Sequence, residues 1–203
     1  MTQVVTGLYD TYDAAVSAVR ALEEAGIPYS EISIVSNNVD NRYAPDQRTR
    51  TAEDAEKGAG VGAAVGGIGG LLTGLGLMAI PGVGPVVAAG WLIATAAGAA
   101  TGAVVGGVAG GLVGALTKEG VPERDAQFYA EGVRRGGTLV SVRVDDVRAP
   151  TARDILQQYK AVDPTVRGAA YRESGWTSFD ENAPAYTADQ IAAERARYPR
   201  SGG

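Results

Sequence analysis

The chain has 203 residues, a formal charge of −5, 45% hydrophobic residues, and neither cysteine nor histidine. Disulfides, thiol nucleophiles, Cys/His metal sites and Ser-His-Asp chemistry are therefore excluded, and cysteine usage says nothing about redox compartment. The acidic excess lies wholly in residues 1–57 and no basic face follows it, which argues against nucleic acid as a partner.

Met1 to Gly7 has no basic region leading into an apolar core, so the sequence carries no secretory signal there and a cytoplasmic start is expected. Val4 to Tyr9 is β-branched and aromatic and predicts a strand. Asp10-Thr11 caps a helix from Tyr12 to Glu24, whose Ala15, Val16, Val19 and Leu22 share one face. Ala25-Gly26 ends that helix, and Ile32 to Val35 predicts a second strand. A βαβ unit with a right-handed crossover and a parallel strand pair is expected from residues 4–35. Asn37 to Arg50 is polar and irregular.

From Gly58 to Thr117 there is no Asp, Glu, Lys or Arg. Gly58, Gly62, Gly66, Gly70 and Gly74 fall four apart. After Pro81-Gly-Val-Gly-Pro85 the register resumes at Gly90, Ala94, Gly98, Gly102, Gly106, Gly110 and Gly114. Residues four apart lie above one another on a helix, so this spacing predicts a glycine zipper on two helices, about 52–80 and 86–118. The Thr51 cap with Glu53 and Asp54 opens the first, and the Pro/Gly turn joins them as an antiparallel hairpin. Glycine costs roughly 1 kcal/mol relative to alanine inside a helix, so close packing or lipid must compensate. At about 1.5 Å per residue both helices exceed the roughly 30 Å of a bilayer core.

Gly120-Val-Pro-Glu begins a further helix reaching Arg135, with Phe128 and Val133 on its apolar side. Gly136-Gly137 stops it, and Thr138 to Val144 alternates as a strand. Pro150 to Ala161 predicts a short helix with Ile155, Leu156 and Tyr159 inward. The two halves on either side of the hairpin are expected to close into one α/β layer with a three-stranded sheet and flanking helices. The organisation is thus 1–50 and 119–163 for the split α/β domain, 51–118 for the helical hairpin, and 164–203 for a tail.

Val5 to Val35 and, more specifically, Gly120-Val-Pro-Glu-Arg-Asp-Ala-Gln-Phe-Tyr-Ala-Glu-Gly-Val-Arg-Arg-Gly-Gly-Thr-Leu-Val-Ser-Val resemble the two halves of the bacterial general stress protein 17M-like (heat-induced stress protein) domain. The resemblance implies a cytoplasmic stress-response role in bacteria and carries over no catalytic residues.

In the tail, Tyr171, Trp176, Phe179 and Tyr186 are strung through polar residues, the pattern of a docking arm. Three readings stay open for it: an arm folded back on its own domain, one docked on a neighbouring subunit, or plain disorder. Thr187 and Gln190 make a capping box for a short helix from Ala188 to Arg197. Other candidates are weak. Gly74-Leu-Gly76-Leu-Met-Ala79 spells a dinucleotide motif but follows no strand. Asn37, Asn38, Asp40 and Asn41 lack the following Glu of a calcium loop. Asp10, Asp145 and Asp146 would bring three carboxylates to one sheet edge, without a partner base.

The expectation is a non-enzymatic stress protein, without cofactor, metal or identified small-molecule substrate, that self-associates through the zipper glycines. Two uncharged segments flanked by Lys57 and Lys118, with Trp91 as an interface anchor only if the second span begins there, suit a hairpin in the bacterial inner membrane with both termini cytoplasmic. The sparse Leu, Ile, Phe and Val suit instead a soluble cytoplasmic homo-oligomeric scaffold with the hairpins buried inside.

Overall fold

The computed structural model describes residues 2–40, 76–92 and 111–198. Strands β1 (Thr2–Tyr9) and β2 (Ile32–Asn37) flank helix α1 (Tyr12–Glu24) as the sequence predicts. The Thr11 hydroxyl accepts from the Ala14 amide and starts α1, and Ala15, Ala18, Val19 and Leu22 form its buried face. Strand β3 (Gly76–Ile80), strand β4 (Gly84–Gly90) and helix α2 (Gly111–Lys118) follow. Then come helix α3 (Glu123–Arg134), strand β5 (Thr138–Asp145), helix α4 (Ala149–Gln158), helix α5 (Pro164–Glu173) and helix α6 (Ala188–Arg197).

The sheet has five strands in the order β1-β5-β2-β4-β3, every neighbouring pair antiparallel. This corrects two expectations. The sheet is not three-stranded, and β1 and β2, although parallel in direction, are not adjacent, because β5 lies between them. Thr138 to Val142 is buried at every position. A strand apolar on both faces must be covered on both, and its two hydrogen-bonding edges are satisfied only in a sheet interior.

The larger correction falls on the expected helical hairpin. Residues 76–80 and 84–90 are a β-hairpin, so the helices predicted over 52–80 and 86–118 do not run through them; α2 is helical at 111–118, and residues 52–75 and 93–110 lie outside the described residues. A spacing of four is also a multiple of the strand period of two, so a four-residue glycine register fits one face of either element. What decides is Val86-Val87, which packs on opposite faces of a sheet, and the unpaired edge of β2, which accepts β4 from Ser33↔Gly90 to Asn37↔Val86. Gly82 (φ +71°) and Gly84 (φ +95°) make the intervening turn.

Two layers of helices cover the sheet. On one face α1 and α4 pack on Tyr9, Ile32, Ile34, Val140 and Val142. On the other, α2, α3 and the Trp91-Leu92 turn pack on Leu8, Val35, Val86, Ala88 and Leu139. Each fully buried side chain of this size contributes about 1.5–3 kcal/mol.

Candidate functional site

The polar groups of the described structure converge where the C-terminal segment crosses the end of α3. Glu131 and Arg135 are one helical turn apart, and both are buried. Arg135 Nε donates to Glu131 Oε1 at 2.7 Å, and its Nη1 donates to Glu194 Oε1 of α6 at 2.9 Å. The Arg135 guanidinium also lies 4.2 Å from the Tyr171 ring centroid. Burial alone would lower the Arg135 pKa, but its bonds to Glu131 and Glu194 raise it overall, so the group stays charged.

Two further arginines close the same clasp. Arg167 of α5 grips both Asp10 carboxylate oxygens, at 2.7 and 2.9 Å, and stacks on the Tyr198 ring at 3.5 Å. Arg195 of α6 donates to Asp40 at 2.8 Å and to the Gly136 carbonyl at 3.0 Å. Between them remains a cavity of about 10 Å³, the scale of one water molecule. Each cation here faces a carboxylate, so the arrangement clasps the C-terminal segment to the rest of the domain.

The aromatic tail residues are all found against this domain. Tyr171 is buried on α5, between Phe128 at 5.7 Å and Trp176 at 6.0 Å between centroids. Burial raises the Tyr171 phenol pKa, with Arg167 opposing. Trp176 and Phe179 pack on the core cluster below α3, and Arg134 stacks on the Tyr186 ring at 4.9 Å. Residues 164–173 are a helix rather than part of an extended arm. Asp163 before Pro164 signals it, since the Asp163 carboxylate accepts from the Thr165 and Val166 amides. The capping box at Thr187 and Gln190 and the helix Ala188–Arg197 stand as the sequence predicts.

Of the zipper glycines, Gly58, Gly62, Gly66, Gly70, Gly74, Gly98, Gly102, Gly106 and Gly110 lie outside the described residues. Gly114 is on α2, and Gly90 ends β4 with a φ of +92°. A Cβ there would fall on the Ile32 carbonyl oxygen, so Gly90 serves close approach of two strands. Trp91 is 8% exposed, donates to the Glu31 carbonyl and lies under Arg143 at 4.0 Å, which removes it as a lipid-interface anchor.

The weaker candidates dissolve. Because β1 and β5 are antiparallel, Asp10 and Asp145 sit at opposite ends of the strand pair. Asp10 pairs with Arg167, Asp145 accepts from the Arg148 amide and guanidinium, and Asp146 accepts from Gln3. Asn37 donates to the Val133 carbonyl and caps the Val39 amide, Asp40 holds Arg195, and Asn41 is outside the described residues. Gly76 to Ala79, the end of the nucleotide-like motif, is strand β3. Among the described residues no group of three potential metal ligands converges. A groove of about 740 Å³ also runs between α3 and α5, floored by Phe128 and Trp176 and walled by residues of both charge signs.

The Glu131–Arg135–Glu194 triad escaped sequence reading, although the i,i+4 spacing of Glu131 and Arg135 was legible. No local signal marks Glu194 as its third member. In comparison with known families, residues 4–81 match the heat induced stress protein YflT domain. No curated protein and no solved structure matches the chain.

Proposed function

From a chain that carries a heat induced stress protein domain over residues 4–81, we infer a non-catalytic stress-response protein that works by self-association. The domain match is the observation that carries the stress role. Self-association is supported by the uncharged stretch from Gly58 to Thr117 and its four-residue glycine register, which suits close packing of chain on chain. The strand register supports it too. Gly76 pairs with Ala88, so the start of β3 and the end of β4 lie at the same end of the sheet. Copies packed through these stretches would present their α/β domains on one side.

The test is sizing of the full chain beside Gly66→Leu and Gly102→Leu. The expected result is a large particle for the parent chain and a smaller one for each variant, with unchanged circular dichroism. A bacterium holding either variant as its only copy is expected to lose heat tolerance. Equal particle size in parent and variants overturns the reading.

Membrane attachment through the same stretches is a second reading, favoured by the absence of any charge over Gly58 to Thr117. Among the described residues no helix is long and apolar enough to cross a membrane. Retention in carbonate-washed membranes, with release by detergent alone, is the outcome this reading expects. Recovery of the whole population in the wash overturns it.

A further inference from the structure

The C-terminal arm, Trp176 to Tyr198, binds a surface shaped to receive it. At the β3–β4 turn a Cβ on Gly82 would stand 2.6 Å from the Asp180 carbonyl oxygen and 2.8 Å from the Glu181 Cα. One on Gly84 would stand 2.6 Å from the Ala185 Cβ. The turn is bare so that the arm can lie on it. Further along, Ile191 enters a notch at Gly136, Glu194 meets Arg135, and Arg195 meets Asp40.

Three features make this docking exchangeable between copies. The joint from Ser174 to Thr187 contains no helix or strand. At about 3.3 Å per residue such a joint, fully extended, reaches roughly 45 Å, enough to leave the parent domain. Second, the Arg195–Asp40 pair is partly exposed, and the buried Arg135–Glu194 pair and the Ile191 contact that are lost on release are regained on the second copy, so the exchange itself is close to neutral. Third, the contacts of Asp180, Ala185, Ile191, Glu194 and Arg195 are with residues far away in sequence, and are reproduced unchanged when arm and receiving surface belong to different chains.

We propose that this arm is exchanged between copies of the chain, each arm docking on a second copy's β3–β4 turn and α3 end. The inference rests on the self-association reading, because assembly raises the local concentration of receiving surfaces until exchange competes with docking in cis. The occupant is selected by its own chemistry. An arm must offer an apolar residue at position 191, a carboxylate at 194 and a cation at 195.

The experiment uses two full-length variants, Asp40→Arg and Arg195→Asp. Each alone sets like charges across the clasp; when they are mixed, opposite charges face each other only between chains. With donor and acceptor dyes on separate cysteines introduced at Ser201, the mixture is expected to associate about tenfold more tightly than parent chains labelled alike, the factor expected of two restored ion pairs. The double variant, with the pair restored in cis, is expected to match the parent. Equal association in mixture and parent overturns exchange, as does a double variant as tight as the mixture. A parent that is monomeric while the mixture associates overturns the glycine-stretch reading and leaves exchange standing.

Discussion

At the scale of single residues, the clasp depends on side chains whose cost appears only when a partner is lost. Glu131 is 1% exposed and tolerable because Arg135 binds it, and Arg135 is tolerable in turn because two carboxylates bind it. Gly82 has the opposite character, since its contribution is an absence. With φ at +71° and the arm's backbone against it, Gly82→Ala is expected to cost about 1–3 kcal/mol in urea unfolding and to open residues 176–198 to protease. Glu181 carries a pH dependence. Burial raises its pKa above the usual glutamate range, with Asp180 adding to the rise, and its Oε1 is buried without a partner. A raised carboxyl pKa means the folded state holds the proton more tightly, so the charged form disfavours folding. The penalty begins as pH rises through the ordinary glutamate range and is complete above the shifted pKa. Glu181→Gln is therefore expected to raise Tm at pH 7, with the gain vanishing in acid below the ordinary glutamate range. Equal gains at both pH values would contradict this assignment.

At the scale of elements, the β3–β4 hairpin is the part whose conformation matters most to any account of assembly. It widens the sheet and gives the linker before α6 a turn to rest on. Gly90 holds it in place, because β4 crosses the Ile32 backbone too closely for any side chain. Gly90→Ala is expected to destabilise the domain by about 3 kcal/mol, with amide exchange accelerated first over residues 76–90. The same substitution on a zipper helix would raise helix propensity by roughly 1 kcal/mol, so the sign of the change separates the two conformations. Tyr129 of α3 ties that helix to the sheet from above, its hydroxyl donating to the Thr6 carbonyl at 3.2 Å. Burial, with the Asp125 charge adding, pushes its phenol pKa up to about 12.

At the scale of the whole molecule, the tail behaves as a part of the domain it follows. Tyr171 is 1% exposed and lies under Trp176, and Arg135 takes its second carboxylate from α6. Truncation after Gly175 is expected to cost about 3–5 kcal/mol, because it uncovers the Tyr171 ring and removes one of the Arg135 partners together. Thermal unfolding of the truncated chain checks this, with the α/β core retained at lower temperature. Unchanged Tm would mean that the tail rests on the surface without binding energy.

The features that chain-local physics determines were legible in the sequence. Thr11 and Thr187 cap their helices because an N-cap hydroxyl needs only its own next turn, and α1 and α6 begin and end where their caps place them. Strands β1, β2 and β5 were legible from β-branched alternation. Asp163-Pro164 spelled the start of α5 in the same local terms, though the aromatic spacing beyond it suggested an extended arm. Only tertiary structure decided the rest. Strand order depends on which edges remain unpaired, so the insertion of β5 between β1 and β2 could not be read from either strand. Glycine every fourth residue fits one face of a helix and one face of a strand alike. The unpaired edge of β2 resolved that ambiguity over residues 76–90, because a backbone seeking hydrogen-bond partners outweighs a pattern that two conformations share.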